Sequence, residues 1–333
     1  MSSFFMNLDY EHQLATGHPQ PKMNQIFEYL FWFVDEGVLS TKKKYSQNYL
    51  THIQKLIGRT PCLKDDALAL NWWGDLKFKE FNSKEFSTTL NQKHHLIDGL
   101  HIINSYESLK EREFSFPLIY KASHGMSGQG VRRFDHLAEF TQFLPHAAYP
   151  FIIEPFHRRI HDFSTLVVHR EKKIYENLID DQFQYKGSFF LTRKPRGLTD
   201  SLWKEYEMKL DLIMAELPQD QIYSIDSYLY EEKGEIKLRV MSEINFRKTM
   251  GYIGLECHRR YGFDQGSSAF FLSREKPERF LKREEDDWRM WSLSPGDCLF
   301  ETYFLSAKDD ETLFSVLNRS TNLLPQSKLS VLI

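Results

Sequence analysis

Two largely apolar runs, 222–230 and 236–245, flank a polar turn at 231–235 that contains Gly234. That pattern predicts an antiparallel hairpin. With the turn centred between Gly234 and Glu235, Asp226 falls opposite Glu243. Asn245, two residues further on, shares the face of Glu243. Like charges facing each other destabilise a strand pair unless something neutralises them. A hard divalent cation, Mg2+ or Mn2+, suits two carboxylates and an amide oxygen. A solvated charged sheet face is the plainer alternative, but it leaves the matched placing of acids in apolar strands without a reason.

The stretch 116–131 carries the second signal. It reads as a short apolar strand, Lys121 at the strand end, then a loop holding Gly125, Gly128 and Gly130. Glycines so placed let backbone N–H groups approach an anion closely, and a lysine leading into them suits a nucleotide phosphate. No Gly-Lys-Ser/Thr closes the loop, and its glycines do not open a long helix, so neither the phosphate-loop nor the dinucleotide pattern applies. A glycine-rich turn without a ligand is the alternative.

The 333 residues suffice for two or three units with sizeable cores. A formal charge of −3 gives no electrostatic case for a nucleic-acid partner. Three widely spaced cysteines, Cys62, Cys257 and Cys298, argue against a disulfide framework and for a reducing compartment. The apolar run 26–34 is too short to span a bilayer. We expect a cytoplasmic protein that engages neither membrane nor nucleic acid.

Along the chain, residues 1–20 read as an irregular polar arm. Helices are expected at 21–36, 45–57, 82–100 (capped by Asn82 or Ser83, with Lys93 near its end), 135–143, 199–217 and from 251 to 261. Residues 67–81 suit a strand or a loop edge. A strand at 148–156 ends in Glu154, a hairpin covers 162–169 and 172–178, and a late strand covers 298–305. His157 and His161 stand four apart, a spacing that binds metal only on a helix, and the neighbouring Pro155 speaks against one. His124, His258, Arg193, Lys194 and Arg196 read first as structural or surface groups, with substrate contact as the alternative.

The order of these pieces resembles the ATP-grasp superfamily, most closely its carboxylate–amine ligases, over residues 82–250. The pieces are a helix lysine, a lysine before a glycine loop, an apolar strand ending in Glu, an acid eight positions later, and an Asp…Glu-x-Asn-x-Arg hairpin. The resemblance implies an α/β (α+β) ATP-grasp fold, with two α+β subdomains gripping ATP. It suggests an N-terminal accessory domain at 1–82, a small subdomain at 83–157 and a large one at 158–333.

It also implies roles. Lys93 and Lys121 are the nucleotide lysines. Ser123, His124, Gly125, Ser127, Gly128 and Gly130 belong to the loop covering the triphosphate. Glu154, Pro155 and Phe156 form the hinge beside the adenine, and Asp162 sits at the ribose. Asp226, Glu243 and Asn245 ligate Mg2+ or Mn2+, and Arg247 supports the γ-phosphate. Two departures stand out: the ribose acid is usually Glu, and the hairpin between Asp226 and Glu243 is a few residues longer than usual.

The implied activity is ATP-dependent amide or peptide bond formation through an acyl phosphate, from a small carboxylic acid and an amine. The resemblance also suggests a homodimer. Alternatives are a kinase-like phosphotransferase and a nucleotide-binding protein without turnover. An amide product, a phosphorylated acceptor, or binding without hydrolysis would tell them apart.

Overall fold

The computed structural model describes residues 2–110, 112–125, 130–180, 184–274 and 281–320. Its first sheet is built where the sequence suggested an irregular arm. Ser3–Phe5 is an inner strand of a four-stranded parallel sheet, between Val38–Ser40 and Leu70–Asn71, with Leu63–Lys64 at the far edge. A helix, Tyr10–Thr16, follows. The polar residues here are buried and hydrogen-bonded: Asn7 donates to the Gly74 carbonyl at 2.8 Å and accepts from the Trp73 N–H at 2.9 Å. Satisfied in this way, they carry little of the desolvation cost that would hold them at the surface.

The expected helix at 21–36 is broken into Pro21–Phe27, a 3-10 turn Glu28–Leu30 and Phe31–Val34. The chain tightens where the Glu28 carboxylate turns inward to accept from Thr41 Oγ1 (2.6 Å) and Tyr45 Oη (3.0 Å). Helix Gln47–Ile57 runs from a Ser46 cap to left-handed Gly58. The core of this unit is shared with residues from the end of the chain: Tyr29 Oη bonds Ser294 Oγ (2.8 Å) and Thr302 Oγ1 (2.7 Å).

The second sheet is antiparallel, in the order His101–Ile103, Phe151–Pro155, Leu118–Ala122, Val131–Phe134. The third has nine antiparallel strands. Its order starts with the hairpin strands Glu235–Asn245 and Ile222–Glu232, then Arg158–Val168, Glu171–Ile179 and Tyr185–Phe190. It continues through Ser267–Ser273, Glu301–Ala307, Trp288–Ser292 and Lys282–Glu284. Neither 267–273 nor 288–292 was expected as a strand. The long helix Asp200–Ala215 is capped by Thr199, as expected.

Helix Lys84–Lys93 links the last two sheets. Ser83 caps it, the Lys84 N–H donates to the Ser123 carbonyl (3.0 Å), and Ser87 Oγ accepts from the Ile244 N–H (3.1 Å). Among the described residues no helix is long and apolar enough to cross a membrane.

Candidate active site

The hairpin meets its expectation by an unexpected route. Its turn is one residue earlier, with Glu232 opposite Glu235, and an irregularity then leaves extra residues on the return strand between Arg239 and Glu243. The extra length restores Asp226 opposite Glu243 and sets Asn245 opposite Ser224. Both acids face a cleft of about 380 Å³ walled by all three sheet units.

Glu243 is held by Lys84, whose ammonium lies 3.2 Å from Oε1. Burial would raise the Glu243 pKa, but Lys84, then Lys121, outweigh it and hold the carboxyl below its ordinary range. Asp226 accepts from Ser164 Oγ (2.6 Å) and Asn245 Nδ2 (2.8 Å), and has no ion-pair partner among the described residues. Its burial, opposed by the Ser164 hydrogen bond and reinforced by Glu243, pushes its pKa up to about 6. Asn245 Oδ1 accepts from Arg247 Nη2 (2.9 Å), leaving the second lone pair of that oxygen.

Two facing carboxylates, one without a cation, plus an amide oxygen form a donor set that suits a hard divalent ion. No group of three or more His, Cys, Asp and Glu residues forms a metal cage among the described residues. His157 bonds Tyr228 Oη (2.9 Å), and His161 faces Glu176 (3.4 Å).

On the opposite wall Lys121, next to last in its strand, has Nζ 2.6 Å from Glu154 Oε1, and Arg239 reaches the other oxygen of Glu154 at 3.4 Å. Burial opposes ionisation of Glu154, yet Lys121 and Arg239 prevail and lower its pKa. Pro155 and Phe156 continue this wall, and Asp162 joins it while paired with Arg159 at 2.9 Å. Arg247 reaches the cleft with its guanidinium on Glu11, Nε at 2.9 Å from Oε1.

The cleft therefore brings together Lys121, Gly125, Glu154, Pro155, Phe156 and Asp162 with Asp226, Glu243, Asn245 and Arg247. Ser123 is not part of its lining and donates to Glu85 and to the Pro150 carbonyl. His124 is not part of its wall, and burial lowers its pKa. Gly130 has φ +77°, and its carbonyl accepts from the Ala122 N–H (2.8 Å), closing the loop. Ser127 and Gly128 lie outside the described residues.

Lys93 requires a correction. It stands at the far end of its helix, half-exposed, paired with Glu216 at 2.7 Å and outside the cleft. Lys84, in the first turn, is the lysine of this helix that enters the site, and it was missed. So were Glu11, which lines the cleft, and Arg239, which pairs with Glu154 without lining it. Arg193 and Lys194 pair with Glu176 (2.7 Å) and Asp200 (3.0 Å), away from the cleft wall.

His258 is structural as well: Nδ1 bonds Ser268 Oγ (3.0 Å), and burial, aided by Lys173, draws its pKa down to about 4. An unfolded histidine takes up its proton near pH 6.5, so this group withdraws stability as pH falls from 6.5 toward 4. His258→Gln is expected to lose less stability than the parent between pH 7 and about 4.5, read from urea midpoints.

No family model matches the sequence, and no curated protein matches it in sequence. Solved structures do match its fold. One is the biotin carboxylase domain of the Hydrogenobacter thermophilus 2-oxoglutarate carboxylase, in complex with MgADP, ADP and bicarbonate. It has a TM-score of 0.56 at 14% identity over 85% of this chain and 73% of that one. N5-carboxyaminoimidazole ribonucleotide synthetase from Thermus thermophilus gives 0.54 at 14% over 98% and 99%. Phosphoribosylamine–glycine ligase from Thermotoga maritima gives 0.53 at 14% over 89% and 94%. The strand order, the cleft and these likenesses agree: the chain has the ATP-grasp fold.

Proposed function

We propose that the protein is an ATP-dependent carboxylate–amine ligase acting on small, amino-acid-like substrates in the cytoplasm. The observation that carries this reading is the joint arrival of Lys84, Lys121 and Arg247 with the facing acids Asp226 and Glu243 in one cleft. Phosphoryl transfer asks for positioning and charge neutralisation more than covalent help from a protein.

Asp226, Glu243 and Asn245 would hold Mg2+ or Mn2+, which when bound supplies charge neutralisation to the triphosphate. Lys84 and Lys121 would bind phosphate oxygens, and the hinge Glu154–Phe156 would border the adenine, with Asp162 at the ribose. Arg247 would stabilise charge on the transferring phosphoryl group. A substrate carboxylate would then attack the γ-phosphorus, breaking its bond to the bridging oxygen of ADP and giving an acyl phosphate. An amine would attack the acyl carbon, expelling phosphate and losing a proton as the amide forms. The buried walls would keep water from that intermediate.

The two lysines at opposite ends of helix Lys84–Lys93 differ in what their removal should do. Lys84→Met is expected to weaken binding of a non-hydrolysable ATP analogue by about tenfold or more, as loss of a charged hydrogen bond does. Lys93→Met removes only a surface pair and should shift the same calorimetric titration less than about threefold.

The general test is release of ADP and phosphate from Mg-ATP, screened against pools of amino acids and small carboxylic acids. Substrate-dependent release with an amide product supports the ligase. A phosphorylated acceptor without an amide would favour the kinase-like reaction, and nucleotide binding without release in any pool would favour a non-catalytic protein.

A further inference from the structure

Asp226 and Glu243 face each other across the hairpin but are held in different ways. Glu243 lies 3.2 Å from the Lys84 ammonium. Asp226 is held by neutral donors, Ser164 Oγ at Oδ1 (2.6 Å) and Asn245 Nδ2 at Oδ2 (2.8 Å). A neutral donor orients a carboxylate without cancelling its charge.

Three neighbouring strands of the nine-stranded sheet build this support: Ile222–Glu232, Arg158–Val168 and Glu171–Ile179. Ser164 is the cross-strand partner of Asp226. Asn177, opposite Asp162, is the diagonal neighbour of Ser164 on its other side, and its Nδ2 reaches Ser164 Oγ at 2.6 Å. All three side chains line the cleft.

The proton directions follow from the chemistry of the groups. An amide nitrogen only donates and an ionised carboxylate only accepts. The single proton of the buried Ser164 hydroxyl therefore goes to Asp226, and a lone pair of that hydroxyl takes the Asn177 N–H. The same reasoning turns the nitrogen of Asn245 to Asp226, because Arg247, which has no acceptor, takes the Asn245 oxygen. Donors thus converge on Asp226 from both sides.

We infer, resting on the reading above in which Asp226 ligates a divalent cation, that Ser164 and Asn177 are positioning residues for that ligand. Asn177 sets the Ser164 hydroxyl, and the hydroxyl sets Asp226 Oδ1 while leaving the carboxylate its charge for the cation. Partners standing behind a metal ligand in this way change metal affinity by about 10–100-fold when removed.

The test uses the full chain with the non-hydrolysable ATP analogue and takes Mn2+ as the probe, its free concentration followed by electron paramagnetic resonance. Ser164→Ala should raise the Mn2+ Kd by about tenfold or more. Asn177→Leu, one step further from the ligand, should raise it about fivefold, the factor of one neutral hydrogen bond. In the Ser164→Ala background Asn177→Leu should add less than about twofold, since its effect passes through the missing hydroxyl. Binding of the analogue in EDTA should change less than about twofold in each variant.

Unchanged Mn2+ affinity in Asn177→Leu overturns the inference and leaves the ligase reading intact. That arm decides even if the fully buried Ser164 does not tolerate replacement, because Asn177 is only half-buried. Additive losses in the double variant, or equal losses with and without metal, overturn it as well, since they mark a purely structural contribution. A parent protein that binds the analogue but no Mn2+ removes the metal assignment itself, and one that does not bind the analogue removes the ligase reading.

Discussion

Glu243→Gln is expected to reduce substrate-dependent ADP release by about a hundredfold or more, the scale on which one preorganised electrostatic group acts in catalysis. Glu243 is the acid that the surrounding cations keep ionised: Lys84 sits at 3.2 Å, and Lys121 and Arg247 add to the field. Glutamine preserves the shape and can still accept a hydrogen bond from Lys84, but it removes the charge a divalent cation needs. The loss should therefore appear in kcat and in the Mg2+ concentration needed for half-maximal rate. Thermal unfolding of the variant, measured alongside, distinguishes this from a folding defect. An active Glu243→Gln enzyme with an unchanged Mg2+ requirement would remove Glu243 from the chemistry.

The largest expected effect on stability belongs to Glu154. Its carboxylate, 6% exposed, lies between Lys121 at 2.6 Å and Arg239 at 3.4 Å, whose side chains are 7% and 2% exposed. Removing it in Glu154→Ala leaves two buried cations facing one another. Breaking a buried pair from one side costs about 3–5 kcal/mol, because the stranded charge cannot recover its hydration. Urea unfolding should show that loss. The double variant Glu154→Leu/Lys121→Met, which withdraws opposite charges together, should recover part of it. A cost below about 1 kcal/mol for Glu154→Ala would mean that the wall is wetter than its burial indicates.

The hairpin and the glycine-loop strand were legible because their signals are local. Apolar alternation interrupted by acids at matched positions fixes which residues share a face, even with the turn centre off by one, since the irregularity after Arg239 restores the pairing. Lys93 carries its assignment only from the order of the pieces, whereas helix electrostatics point to the other end of the helix. A cation in the last turn sits where the helix dipole favours it, and a cation in the first turn sits where the dipole opposes it. Lys93 occupies the favoured end and Lys84 the opposed one, and a lysine kept at the opposed end needs a carboxylate such as Glu243 to hold it.

The N-terminal unit was illegible for a different reason. Its strand is three residues long, too short for periodicity to register. Asn7 and Glu11 look like solvent-facing groups, but their partners lie far along the chain: Gly74 for Asn7 and Arg247 for Glu11. Contacts of such range leave no trace in a window of local sequence. Arg239 is the same case, a charge inside a strand whose partner Glu154 lies on another sheet.

The central claim is that a carboxylate oxygen of the substrate attacks the γ-phosphorus of ATP. The most direct measurement uses an acid substrate found by the ADP-release screen, labelled with 18O in its carboxylate, and mass analysis of the phosphate released. Transfer of one labelled oxygen to phosphate for each amide formed is the predicted result. Unlabelled phosphate, with both labelled oxygens retained in the acid or its product, would contradict it.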